Sequence, residues 1–213
     1  MAYECITYED VGDNVALVTL NRPNRLNALN RQLVSELEQV VDHVEESGEV
    51  RVLVFTGAPR ADGRPCFSAG ADLYEQADRE ESEEALLGTI RALVDRSFGP
   101  WLAGFCDRLE TLGTPSIAAI DGICTAGGLE LALSCDIRVA SETAQISDLH
   151  IKNLGAIGGG GVTVRLARAV GPAWAKEIMF TGQPMGGQAA VDIGLANHVF
   201  APDKLVEGAV ALA

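Results

Sequence analysis

An apolar strand, an amphipathic helix and a second apolar strand follow one another twice along the chain, and this order limits the fold more than any other feature. Val15–Leu20 (VALVTL) reads as a buried strand that ends in the turn-rich Asn21-Arg22-Pro23-Asn24. Asn30 then suits a helix N-cap, and Leu33, Leu37, Val40, Val41 and Val44 recur every three or four residues until Gly48 breaks the pattern. Residues 50–56 (VRVLVFT) form the second strand. Strands joined in this way run parallel through a crossover, which is right-handed in nearly every known case. Residues 116–120, 127–134 and 136–140 repeat the order as strand, short helix and strand. A layered α/β fold is therefore predicted.

Between the two halves, residues 73–114 begin with a charged stretch (Glu75, Asp78, Arg79, Glu80, Glu81, Glu83, Glu84) and continue with Leu86, Ile90, Leu93 and Val94 at helical spacing. A solvated helix start leading into one or two packed helices is expected, and the acids read as a wet face rather than a metal site. Residues 162–169 and 173–180 read as two helices parted by Gly171-Pro172, and a last helix starts near Asp203. Residues 1–200 are expected to form one core, with 201–213 the start of a C-terminal helical region. At 213 residues the chain can bury roughly 70% of its unfolded surface, enough for one core.

Charge and cysteines exclude several functions. Sixteen Lys and Arg against thirty Asp and Glu leave −14, and the basic residues are scattered, which argues against a nucleic-acid partner. No apolar run reaches the roughly 18 residues that span a bilayer, and MAYECITYED lacks the basic and apolar regions of a leader. No membrane partner and a cytoplasmic location are expected. Cys5, Cys66, Cys106, Cys124 and Cys135 are dispersed without C-x-x-C or a matching histidine pair, so neither a disulfide framework nor a zinc site is indicated. They read as small buried residues.

Two nucleotide motifs fail on spacing. GAIGGGG at 155–161 lacks the Lys-Ser/Thr of a P-loop and has no strand and G-x-G-x-x-G before it. Cys66-Phe67-Ser68-Ala69-Gly70 has cysteine where a nucleophile elbow has its first glycine, so a triad of Ser68 with His150 and Asp148 is a minor reading. Two other turns, FSAGADL at 67–73 and DGICTAGGLE at 121–130, lead from strand-like segments toward helix starts. Backbone N–H groups there lack intrahelical partners, and small residues let an anionic oxygen approach them. Two such loops can form an oxyanion hole, a few kcal/mol per donor when charge develops on a carbonyl oxygen. They can equally be tight turns and nothing more.

Leu20-Asn21-Arg22-Pro23-Asn24-Arg25-Leu26-Asn27-Ala28-Leu29, FSAGADL and DGICTAGGLELALSCDIRVAS at 121–141 together resemble the crotonase (enoyl-CoA hydratase/isomerase) superfamily, in the family's order and over nearly the whole chain. The resemblance implies a spiral of ββα units with flanking helices, an acyl-CoA substrate, no cofactor beyond that coenzyme A, no metal, and a homotrimer or hexamer. It implies backbone oxyanion donors at Ala71 and Gly127. Coenzyme A would lie along Arg25, Leu26, Ala28, Ala69, Asp72 and Leu73, with Arg25 either on its phosphates or simply in solvent. The family runs on past Ala213 by several dozen helical residues, so its C-terminal helical tail is expected to be missing here.

Glu130 matches the first of the two glutamates that hydratases of this family use. The second position falls on His150 counting forward from Glu130, or on Ile151 counting back from the glycine run, and Gly158 replaces a common proline. Histidine can act as acid or base near neutral pH, and Asp148 can orient it or act itself. The resemblance therefore implies a lyase, an enoyl-CoA hydratase. The alternatives are a Δ3–Δ2 enoyl-CoA isomerase, a carbon–carbon bond hydrolase, and a non-catalytic acyl-CoA-binding protein. His43 and His198 have no partner at informative spacing and read as structural.

Overall fold

In the computed structural model, which describes residues 3–73 and 98–213, strands and helices alternate as the sequence predicts. The acidic stretch and the Leu86–Val94 pattern lie outside the described residues. The chain runs through β1 (Ile6–Asp10), β2 (Val15–Leu20), α1 (Arg31–Ser47), β3 (Val52–Gly57), β4 (Cys66–Ser68) and α2 (Phe98–Glu110). It continues through β5 (Ser116–Ile120), β6 (Ile123–Thr125), α3 (Gly127–Ser134), β7 (Ile137–Ser141), β8 (Gln145–Ser147) and α4 (His150–Leu154). Last come α5 (Val162–Thr181), α6 (Gly187–Asp192), β9 (His198–Phe200) and α7 (Leu205–Leu212).

From β3 onward, successive strands alternate between two sheets. β1, β2, β3, β5, β7 and β9 form the larger sheet in that order, while β4, β6 and β8 form the smaller one. All pairs are parallel except β1 with β2. The units β5-β6-α3 and β7-β8-α4 each place one strand in each sheet and then a helix, which is the expected ββα spiral. Alternate residues of the large sheet serve different cores. Ala16, Val18 and Leu20 join Leu53, Phe55, Ala118 and Ile120 beneath α1, α2, α3 and α5, whereas Val15, Leu17, Val54, Ile117 and Ala119 face Leu205 and Ala209 of α7. Burial on both faces is why these strands read as unbroken apolar runs.

Local signals act where expected. Asn30 accepts a hydrogen bond from the Leu33 N–H at 2.9 Å, and Gly48 closes α1 at φ 63°. Gly171, at φ 78°, kinks α5 ahead of Pro172. Strand β3 begins two residues later than the apolar run, at Val52. The edge strand β1 escapes pattern reading because its residues pass from buried to exposed along its length.

The small sheet and α3 touch backbone to backbone. A Cβ added at Gly128 would lie 2.5 Å from the Ser68 carbonyl oxygen and 2.8 Å from Ser68 Cβ. Gly128→Ala should therefore cost about 1–3 kcal/mol of stability through overpacking, measured as a lower midpoint of unfolding. An unchanged midpoint would contradict this close contact.

Candidate active site

Two turns that follow strands of the smaller sheet, one after β4 and one after β6, meet there. Gly70, at φ 96°, lets its chain pass against the start of α3: a Cβ there would lie 2.9 Å from the Gly127 nitrogen, and one on Gly127 would lie 3.1 Å from the Ala71 nitrogen. Ala71 and Gly127 line one cleft, and neither of their N–H groups donates to an acceptor among the described residues. Ala126, just before Gly127, holds φ 50° and ψ −122°, a conformation costing alanine on the order of 1–3 kcal/mol. Such strain persists where the surroundings impose it, here at the residue that aims a free N–H.

The Ala71 turn is braced from the loop after β2. Leu29 and Ala71 form a parallel bridge, with the Leu29 N–H donating to Gly70 O and the Asp72 N–H to Leu29 O. Arg22 pairs with Asp72 at 2.8 Å and donates to Ala28 O at 2.5 Å. Asn27, left-handed at φ 51°, donates to Ala58 O and Cys66 O and accepts from the Arg22 N–H. Ser68 Oγ donates to Asn27 O and accepts from the Gly70 N–H, so its proton is committed to the loop and the serine triad is corrected. His150 and Asp148 pair with each other and belong to a different group.

Glu130 projects from the first turn of α3, one turn beyond Gly127, with 2% of its side chain exposed. Its Oε1 accepts from the Gly160 N–H at 2.7 Å and the Val162 N–H at 3.3 Å. Its Oε2 lies 3.8 Å from His150 Nε2, and His150 Nδ1 donates to the buried Asp148 Oδ1 at 2.6 Å. The Asp148 carboxylate thus fixes the ring so that Nε2 faces Glu130. Burial pushes the Glu130 carboxyl up, against the lowering effect of His150 and the two N–H donors. Burial pulls the other way on His150, but the Asp148 and Glu130 carboxylates outweigh it and hold the imidazole above its ordinary value.

The cleft has two lobes. Leu102, Gly127, Glu130, Ile157, Gly158 and Gly160 line one, while Leu26, Ala69, Ile123, Thr125, Leu149 and Asn153 line the other. Ala71, Leu73, His150 and Leu154 belong to both, so His150 stands where the lobes join. A Cβ on Gly158 would lie 2.5 Å from His150 Cε1 and 2.7 Å from Glu130 Oε1, so only glycine leaves room for this ring. Ile151 lines neither lobe. Among residues singled out for coenzyme A, Leu26, Ala69 and Leu73 line the cleft, Arg25 is exposed, Ala28 is buried, and Asp72 is turned inward on Arg22. Sequence reading missed the Gly160 and Val162 N–H groups and the strained Ala126, since a backbone donor leaves no residue-type signal.

The remaining candidates fall elsewhere. His43 packs edge-on against Tyr8 and His198 lies beside Phe200. All five cysteines are buried, and burial pushes the Cys66 thiol up to about 11. Among the described residues no acidic, His and Cys cluster fit for a metal exists, and no helix is long and apolar enough to cross a membrane.

A ββα spiral of this kind is a crotonase-type fold. A family model described as enoyl-CoA hydratase/isomerase matches residues 10–213, and the chain belongs to that family and is an enzyme of it. It is 39% identical over 199 residues to a short-chain-enoyl-CoA hydratase of Clostridium acetobutylicum, covering 93% of this chain and 70% of that protein. Its fold is similar to that of an enoyl-CoA hydratase from Bacillus anthracis, with a TM-score of 0.83 and 33% identity over 98% of this chain and 75% of that one. Pseudomonas aeruginosa DspI is similar as well, at a TM-score of 0.82 and 30% identity, covering 98% and 78%.

The Asp148 bond raises the proton affinity of His150, so Asp148→Asn should move the His150 ring titration to lower pH in a nitrogen-15 NMR titration. An unmoved titration would show that Asp148 does not hold the ring.

Proposed function

We propose that the chain hydrates a 2-enoyl-CoA, holding the thioester carbonyl oxygen between the Ala71 and Gly127 N–H groups. The observation that carries this reading is the placement of Glu130 Oε2 and His150 Nε2 3.8 Å apart, beside those two donors. Hydration needs a base to take a proton from water as hydroxide forms a bond to Cβ, and an acid to give a proton to Cα. The couple supplies both. One member gains the proton that water loses, the other gives one to Cα, and the couple ends with as many protons as it had. Charge that builds on the thioester oxygen as the Cα=Cβ electrons shift is met by donors already in place.

His150 takes the part of the second carboxylate, with Asp148 positioning it. The lobe with Leu26, Ala69, Ile123 and Asn153 receives the coenzyme A arm, and that with Leu102, Ile157 and the glycine run receives the acyl group. Arg25, exposed next to Leu26, would meet the coenzyme A phosphates. No cofactor is needed beyond the coenzyme A of the substrate. A single carboxylate suffices to shuttle a proton in an isomerase, so the presence of a second proton carrier favours hydration.

Mass spectrometry of products from a 2-enoyl-, a 3-enoyl- and a cyclic β-keto acyl-CoA tests the reaction. Gain of one water by the 2-enoyl substrate is expected, with kcat falling about 10³-fold in Glu130→Gln and about 10²-fold in His150→Gln. A shifted double bond without mass change, or a ring-opened product in place of hydration, would replace this reading with isomerisation or carbon–carbon hydrolysis. With one proton needed on the couple, activity should be bell-shaped in pH, and His150→Gln should remove one limb.

A further inference from the structure

Arg165 is a buried cation on α5, 6% exposed, that does not line the cleft. Its Nη1 donates to the Gly160 carbonyl oxygen at 2.8 Å, its Nε to Glu110 Oε2 at 2.9 Å and its Nη2 to Asp107 Oδ1 at 2.6 Å. Both acids stand on α2 at the surface, with 73% of the Asp107 and 40% of the Glu110 side chain exposed. Ion pairs with partners so open to water contribute little stability. What the arrangement does secure is a rigid donor aimed at one backbone oxygen.

Gly160 is also the residue whose N–H lies 2.7 Å from Glu130 Oε1. A Cβ on Gly160 would lie 2.5 Å from Glu130 Oε2, and one on Gly161, which adopts φ 99°, would lie 1.8 Å from Arg165 Nη1. The glycine run is thus gripped from two sides, by the carboxylate on one and the guanidinium on the other. Neither side leaves room for a side chain.

We propose that Arg165 is a positioning residue for Glu130: by holding the Gly160 carbonyl it fixes the Gly160 N–H on Oε1 and leaves Oε2 turned toward His150 Nε2 and the cleft. It acts through the backbone, without contact with substrate. The inference rests on Glu130 being the acid/base group of the reading above. The charged and titratable groups packed around this device are Cys106, Asp107 and Glu110 on α2, Arg168 on α5, and Asp148 and His150 at the start of α4.

The Gly160 N–H favours the ionised form of Glu130, so loosening it should make the carboxyl hold its proton to higher pH. Infrared titration of carbon-13-labelled protein, with Glu130→Gln as the reference that removes the signal, reads this directly and needs no turnover. Arg165→Met should move the Glu130 titration upward, lower kcat for 2-enoyl-CoA hydration about 10–100-fold through misplacement, leave KM nearly unchanged and shift the pH profile upward. The double variant Asp107→Asn with Glu110→Gln keeps the arginine but frees its far side, and should shift the titration the same way by less. It decides the matter if Arg165→Met fails to fold. A fall in kcat with Glu130 titrating as in the wild type would reduce Arg165 to a structural role and overturn the inference, as would an unmoved titration in the double variant. A wild type that hydrates nothing while the titration still shifts would sink the hydratase reading and leave this device standing.

Discussion

A carboxylate with 2% of its surface exposed cannot hold its charge unless the protein replaces the water it has lost. Removing such an ion from water costs several kcal/mol even after the protein relaxes. For Glu130 the replacement is specific: two N–H groups on one oxygen and an imidazole facing the other. Each partner makes a demand in turn. The N–H donors require a glycine run that can lie against the carboxyl, the imidazole requires Asp148 behind it, and the run requires something to hold it. Much of the second half of the chain is arranged around this one group.

The other half of the site follows from a different constraint. The Ala71 and Gly127 N–H groups line one cleft and have no acceptor among the described residues, which regular secondary structure does not provide. The ββα repeat solves this by ending strands of the small sheet in turns, one at Gly70 and one at Ala126-Gly127, packed within van der Waals contact. The cost is strain at Ala126 and a set of polar groups, Arg22, Asn27, Ser68 and Asp72, spent on bracing the first turn. Asp72 thus holds the wall of the cleft with its carboxylate facing inward.

The large sheet was legible because Val15–Leu20 and Ser116–Ile120 are apolar on both faces, and α1 because Asn30 and Gly48 mark its ends. The strands of the small sheet are three residues long and carry too little pattern to stand out, and β1 has only one face to bury. At the site, Glu130, His150, Asp148 and the two N–H positions were reachable from motif order. The choice between His150 and Ile151 was not, because the two counts differ by one residue, which shifts a helix face, and only the room left by Gly158 shows which side chain enters. Arg165 looked like any charged residue on a helix, since its partner is a carbonyl oxygen and backbone acceptors are invisible in a sequence.

The central claim is that one point in the cleft satisfies the oxyanion donors and the proton-carrying couple together. A crystal structure with a bound β-keto acyl-CoA, whose thioester enolate mimics the charge of the reaction, tests this most directly. The account predicts the thioester oxygen at about 2.7–3.1 Å from both the Ala71 and Gly127 nitrogens, with Cα and Cβ over Glu130 Oε2 and His150 Nε2. A thioester oxygen bound to neither nitrogen, or an acyl chain in the lobe away from Glu130, would contradict it.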